Sequence, residues 1–317
     1  MKTIYFDINS QLANDFGPLT AAIGFFDGLH QGHKQLVEKT KEEAKNNGHK
    51  SAIITFSPSP ASILANKPED LLSTVSERKS LIKQAGIDVM IVLKFTKQLS
   101  QLKPLEFYKE IIKKLNVKHL VAGEDFKFGF RGSGNVETLK EIKGLGLSVV
   151  SDYKLEAKRV SSTRIKEALK NGDVLSANKM LGYEYELNGF VKHGRKKGRT
   201  IGFPTLNLQV DDSKLIPRDG VYIGISEIMG KNYISTINIG HNPTINTVKA
   251  KSIESFVHFY NKDTYGQRVK FKLIKFIRNE NKFASVKELI EQMNKDIEDS
   301  NNYFDETKRE LHNIEPI

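Results

Sequence analysis

The sequence predicts an α/β unit followed by an antiparallel β-barrel unit closed by a terminal helix. Three observations carry this expectation. Apolar, β-rich runs alternate with helical patterns through the first half, strand patterns dominate from about Glu184, and one amphipathic stretch begins at Val286. Strands that recur with helices between them form βαβ units, hence a doubly wound parallel sheet with right-handed crossovers. Short strands with turns but no helices between them form an antiparallel barrel or sandwich instead.

In the first half the strand candidates are Thr20 to Ile23, Ser51 to Phe56, Val89 to Leu93, His119 to Ala122 and Leu147 to Val150. A helix is predicted over Lys34 to Lys45, with Leu36, Val37, Thr40 and Ala44 on its inner face. Another is predicted over Pro104 to Leu115, where proline suits the first turn and Phe107, Ile111 and Leu115 share a face. After Ile165 to Leu169 and Val174 to Leu181 the pattern changes, which sets a domain boundary near Gly182 and gives domains 1–182 and 183–317. The second half then supplies strands at Tyr185 to Val191, Gly220 to Ile228, Tyr233 to Ile239, Ser255 to Tyr260 and Arg268 to Phe276. The closing helix carries Val286, Leu289, Ile290, Met293 and Ile297 as a stripe expected to pack in a core.

A chain of 317 residues with 38% hydrophobic and 27% charged residues suits two globular cores. Its apolar runs fall far short of the roughly 20 residues that a membrane helix requires, so no membrane partner is expected. The absence of cysteine excludes disulfides and thiolate chemistry. No secretory pattern precedes Asp7, and a cytoplasmic location is expected. The formal charge of +11 favours polyanions or phosphorylated small molecules as ligands. The one dense basic tract, Lys192 to Arg199, is short and interrupted by Gly194 and Gly198, so no nucleic-acid partner is expected.

The run Ile23-Gly-Phe-Phe-Asp-Gly-Leu-His-Gln-Gly-His33 joins the first predicted strand to the first helix, where an α/β sheet opens its ligand crevice. Gly24, Gly28 and Gly32 allow close approach of a phosphate, and the helix start offers free N–H groups. His30 and His33, three apart, can face one ligand from the first turn and stabilise developing phosphate charge. A metal site is disfavoured because no nearby carboxylate or third histidine completes a ligand set. The segment resembles the histidine motif of the nucleotidylyltransferase superfamily, which implies a nucleotide site at Gly24, Phe26, Asp27 and Gly32 with His30 and His33 as catalytic groups. Val160 to Lys166 resembles the superfamily's second motif, and implies ATP contacts from Ser161, Ser162, Thr163, Arg164 and Lys166, with lysine where arginine is usual.

Val121 to Gly129 and Thr55 to Pro60 resemble segments of bacterial FAD synthetases. The resemblance implies nucleotide contacts from Gly123 and Asp125, and flavin contacts from Pro58, Phe126 and Phe128. Ser57 and Ser59 depart from the acidic and histidine residues often found in that family's proline loop.

The second motif runs from His193 to Asn207. Gly198 and Gly202 can form a phosphate nest, while Thr205 and Asn207 supply hard oxygens that suit Mg2+. No Walker loop occurs, so phosphoryl transfer needs another architecture. The segment resembles the riboflavin kinase motif. That resemblance extends through Asn238 to Thr244, Glu254 to Gly266 and Arg278 to Phe283. It implies Glu254 as the catalytic base, Arg278 in flavin binding, and a departure at Phe259, where bacterial members commonly have aspartate.

Together these matches resemble the bacterial bifunctional riboflavin kinase/FMN adenylyltransferase family. They imply ATP as co-substrate, riboflavin, FMN and FAD as substrates and products, Mg2+ as cofactor, and flavin-requiring apoproteins as acceptors of product. Two alternatives stay open. One is a monofunctional FMN adenylyltransferase with a degenerate, flavin-binding kinase-like domain. The other, a nucleic-acid-binding protein, leaves the second motif set unexplained.

Overall fold

The chain divides into two compact units, Met1–Ser162 and Thr163–Ile317. The computed structural model describes residues 1–10, 17–194, 198, 201–241 and 251–306. Of the motif residues, Arg195, Lys196, Lys197, Arg199 and Thr200, and Asn242, Pro243 and Thr244, lie outside the described residues.

The first unit is built on β1 Lys2–Phe6, β2 Leu19–Ile23, β3 Lys50–Ser57, β4 Val89–Lys94, β5 Val117–Gly123 and β6 Gly146–Val150, all parallel in the order β1-β4-β3-β2-β5-β6. Five strands match the expectation. The sixth, β1, was not foreseen: it is a five-residue edge strand paired, among the described residues, only with β4. β2 is buried along its whole length, as a central parallel strand covered on both faces must be. Two cores form on the two faces, one containing Phe6, Ile54, Ile91 and Leu120, the other Phe26, Val37, Ile53 and Met90.

Helix α1 Gln31–Asn47 follows β2, and its inner residues Val37, Thr40 and Ala44 are those the periodicity selects. It ends at Gly48, whose φ of 65° suits the left-handed cap. The predicted helix from Pro104 winds instead as a short α-turn, Pro104–Phe107, followed by a π-turn, Tyr108–Lys113. Phe107, Ile111 and Leu115 are still buried. Helix α2 Val75–Gln84 starts with a capping box between Thr74 and Glu77. It carries Arg78, 1% exposed, whose Nη1 donates to Phe25 O at 2.8 Å, Thr55 Oγ1 at 2.7 Å and Phe56 O at 3.2 Å.

In the second unit, α3 Ser162–Lys170, whose first residue closes the first unit, leads into α4 Val174–Leu181. Strands β7 Tyr185–Lys192, β8 Thr205–Val210, β9 Gly220–Ile228, β10 Lys231–His241, β11 Lys251–Val257 and β12 Arg268–Arg278 form a closed antiparallel barrel, in the order β8-β11-β10-β9-β12-β7. No strand was expected at Thr205 to Asn207. These residues are a barrel strand instead, and β8 closes the barrel by pairing with both β7 and β11. β11 stops at Val257 rather than Tyr260, because Phe259 turns with a φ of 55°.

The terminal helix, α5 Val286–Glu306, corrects another expectation. Its deeply buried residues are Asp296, Ser300 and Phe304, whereas Leu289, Ile290, Met293 and Ile297 are half-buried and Val286 is exposed. The apolar stripe is therefore not a core stripe. It faces a cavity.

Removing Arg78 takes a donor from three acceptors in the first unit, of which Phe25 O keeps the Thr55 hydroxyl. Arg78→Met is expected to destabilise that unit by roughly 3 kcal/mol or more. Hydrogen exchange in the full chain should accelerate over residues 25–28 and 55–57, with no change in the barrel.

Candidate active sites

The strand order of the first sheet reverses direction between β2 and β5, and ligands bind at such switch points beyond the carboxyl ends of the strands. A cavity of about 250 Å³ opens there, floored by Ile23, Gly24, Gly123 and Val150 at the ends of β2, β5 and β6. His30, Gly32 and His33 enter from the start of α1. Space is tight at Gly24 and Gly32: a Cβ at either would stand 3.3 Å from the ring of Phe26 or His30, which would have to shift by a few tenths of an ångström.

His30 is the N-cap of α1, not a residue of its first turn. Its Nδ1 accepts from the His33 backbone N–H at 3.3 Å, and the two imidazoles stack at 3.6 Å. Burial, reinforced by the charge of Arg159, pushes His30 down to about 4. Burial also holds His33 well below the ordinary histidine value, with His30, Arg159 and Arg78 adding to the effect. Both rings are therefore neutral at pH 7, and His33 Nδ1 is buried without a hydrogen-bond partner among the described residues. Two neutral imidazoles at a helix N-terminus can donate to an incoming anion, which in turn raises their proton affinity.

Phe26, Gly123, Asp125, Phe126, Ser161 and Ser162 also line this cavity, as the motifs suggest. Ser162 Oγ donates to the carbonyl of Asp27 at 3.0 Å. The Asp27 side chain itself turns inward. It is 1% exposed and accepts from the backbone N–H of Ser73 at 2.9 Å, and so shapes the turn. Phe128, expected on the flavin, is likewise a core residue, 5% exposed and packed on Phe107 and Phe126. Pro58 is exposed and is not among the lining residues. Thr163, Arg164 and Lys166 follow on α3, within the second unit.

Sequence reasoning missed Arg159. It lies in a small hairpin, Lys154–Leu155 with Lys158–Arg159, and its guanidinium binds Asp125 and, through Nε at 3.0 Å, Asp152. Asp152, Tyr153 and Arg159 all line the cavity. The one available signal was a cation immediately before the Val160 to Lys166 motif.

The second unit holds a cavity of about 330 Å³ lined by β8, β10, β11 and α5. Register aligns Asn207, Glu254 and Asn238 across three neighbouring strands. Thr205 lies two residues from Asn207 on the same face of β8, and its hydroxyl donates to Glu254 Oε2 at 3.1 Å. Glu254, Thr205, Asn238 and Gly198 line the cavity, while Asn207 packs beneath Gly194, where a Cβ would lie 2.3 Å from its amide. Gly198 is equally constrained, since its Cβ would lie 2.2 Å from Phe203 O. Gly202 takes a φ of 87°, open only to glycine without strain.

Arg278 reaches this cavity held by Asp296, with Nε to Oδ1 at 2.9 Å and Nη2 to Oδ2 at 2.6 Å. Phe203, Phe256, Phe283, Leu289, Met293 and Ile297 form its apolar walls. Phe259 is 75% exposed and is not a lining residue.

A family model described as FAD synthetase matches residues 13–164, and one described as riboflavin kinase matches residues 181–304. The chain is 38% identical to a bifunctional riboflavin kinase/FMN adenylyltransferase of Bacillus subtilis, over 91% of this chain and 93% of that protein. Its identity to the protein of the same name from Listeria monocytogenes is 35%, over 96% and 98%. A crystal structure from Streptococcus pneumoniae, described as a macrolide-efflux protein, superposes with a TM-score of 0.87 at 32% identity, covering 94% of this chain and 99% of that one. Among the described residues no helix is long and apolar enough to cross a membrane.

The lowered histidine values predict a pH effect. The unfolded chain takes up protons below about 6.5, whereas folded His30 resists until about 4, so stability is complete above the first value and falls toward the second. His30 alone contributes roughly 3 kcal/mol to this loss. Urea titrations from pH 7.5 to 4.5 should show it, and His30→Asn, which keeps a cap acceptor, should flatten the dependence.

Proposed function

The chain belongs to the bifunctional riboflavin kinase/FMN adenylyltransferase family, and we propose that its two cavities divide that chemistry, with AMP transfer to FMN in the first unit and phosphorylation of riboflavin in the second. The protein is a transferase of FMN and FAD biosynthesis. The observation that carries the division is that each unit has its own cavity, lined by its own motif.

In the first, a phosphate oxygen of FMN attacks the α-phosphorus of ATP and pyrophosphate leaves. Backbone at Gly24, Gly32 and Gly123 allows the nucleotide to approach, and the N-terminus of α1 favours its charge. His30 and His33, neutral in the free protein, donate to phosphate oxygens and stabilise the charge that develops on them. Ser161, Ser162, Thr163, Arg164 and Lys166 extend the phosphate-binding set in this proposal. Asp125 acts on the nucleotide, and Phe126, with Pro58, takes the flavin ring. The functional segments are 1–182 and 183–317, and the compartment is the cytoplasm.

In the second, the terminal ribityl hydroxyl of riboflavin attacks the γ-phosphorus of ATP and ADP leaves. Glu254 orients that hydroxyl and accepts its proton, while Gly198 and Gly202 leave room for phosphate. Thr205 Oγ1 and Asn207 Oδ1, two residues apart on β8, supply hard oxygens that would hold Mg2+, which when bound would neutralise phosphate charge. Arg278 borders the flavin. The exposed position of Phe259 favours an active kinase over a degenerate one.

Purified full-length protein supplied with MgATP should convert riboflavin to FMN and FMN to FAD. His33→Ala should lower FAD formation by about a hundredfold or more and spare FMN formation. Glu254→Gln should do the reverse by a similar factor. Equal losses of both products in either variant would sink the division of labour. Phe259→Asp should leave riboflavin turnover within about threefold of the parent, as expected for an exposed turn position.

A further inference from the structure

Helix α5 buries polar residues where a helix against a barrel ordinarily buries apolar ones. Asp296 and Ser300 are 3% and 0% exposed, one turn apart, and only the next position of that stripe, Phe304, packs on Ile223, Ile234 and Ile274. His258, 4% exposed, sits just beyond β11 and touches both this helix and β10. Such groups are costly to bury unless their hydrogen bonds are complete, so the direction of each bond matters.

Ser300 Oγ donates to the carbonyl of Asp296 at 2.8 Å, an atom that can only accept. With its one proton engaged there, Ser300 can only accept from Thr236 Oγ1, 3.1 Å away. Thr236 has then used its own proton, so its 3.1 Å contact with His258 Nε2 requires Nε2–H as the donor. The chain runs one way, from His258 through Thr236 and Ser300 to the backbone of Asp296. The other nitrogen, Nδ1, lies 3.1 Å from Asn301 Oδ1. With the proton on Nε2, a half-turn of that amide is required, which exchanges its near-equivalent O and NH2 and lets the NH2 donate to bare Nδ1. Burial lowers the proton affinity of His258, in keeping with a neutral ring.

Every later member of this chain belongs to the cavity wall or to its support. Thr236 and Asp296 line the cavity, and Asp296 holds Arg278 there with both carboxylate oxygens. Leu289, Met293 and Ile297, on the same helix, form the apolar wall. We propose, resting on the kinase reading of the barrel, that His258 is a positioning residue for the flavin pocket: its Nε2–H anchors the chain that fixes α5, and so sets the apolar wall and the Arg278–Asp296 pair. Because it acts on the shape of the pocket and not on the reacting atoms, its loss weakens riboflavin binding more than it slows phosphoryl transfer.

The test uses the full chain. His258→Leu is expected to raise KM for riboflavin at least about tenfold with kcat within about threefold, and His258→Gln, which keeps an N–H donor, to recover most of the affinity. Ser300→Ala, which breaks the chain at its centre, should raise KM in the same direction. FAD formation from FMN should be unchanged in all three. Long-range 15N–1H correlation of the parent protein, with His258 identified by its absence in the Gln variant, should show protonated Nε2 and bare Nδ1. A neutral ring protonated at Nδ1, or a parent-like riboflavin KM in folded His258→Leu and Ser300→Ala, overturns the proposal. Absence of FMN formation by the parent overturns the kinase reading instead, and the tautomer then decides the chain of bonds alone.

Discussion

The first unit depends on the guanidinium of Arg78. It lies at the carboxyl ends of β2 and β3, bonded to Phe25 O, Thr55 Oγ1 and Phe56 O, with its Cζ 4.5 Å from the centre of the Phe25 ring. Parallel strands end in carbonyls that their neighbours cannot satisfy once the chain turns away, and a buried cation with several donors answers that need at one point. Thr55 Oγ1 donates to Phe25 O as well, so the two strand exits are tied twice. Burial brings Arg78 down to about 10, still charged at neutral pH, and Asp27 partly offsets the shift. The same region holds Phe26 at a φ of 54° and Leu29 at 37°, strained conformations that only a well-fixed surrounding maintains. Those conformations deliver His30 to the N-cap of α1.

That position explains the state of the histidine pair. Stacked rings in a buried site beside the cations Arg159 and Arg78 stay neutral, with one ring proton each, at neutral pH in the free protein. Asp125 and Asp152 occupy Arg159 meanwhile, keeping the guanidinium at the cavity wall.

The barrel handles buried polarity differently. Ser226, fully buried, bonds to the fully buried Ser235 and Ser255, and Glu254 and Asn238 of the neighbouring row meet the cavity. The terminal helix joins this network by polar groups and leaves its apolar stripe for the cavity. Directional bonds hold a helix at one height and rotation, whereas apolar packing alone tolerates small slips.

The sequence by itself determined that a parallel α/β sheet precedes an antiparallel barrel with a terminal helix, and set the His30 and His33 run between the first predicted strand and helix. Alternation, helical period and turn residues are local signals, and that run adjoins elements that such signals define. What only the tertiary structure decided depends on partners distant along the chain. Arg159 finds Asp125 34 residues away, and Asp27 turns to Ser73 46 residues on. Phe128 joins a core because Phe107 is there to receive it, and β1 and β8 are strands because β4, β7 and β11 pair with them. The α5 stripe shows the limit most plainly. Period 3.6 reveals that a helix has an apolar face, but whether that face meets a core or a cavity depends on what lies opposite, and here the barrel offers a cavity to Leu289, Met293 and Ile297 and hydrogen bonds to Asp296 and Ser300.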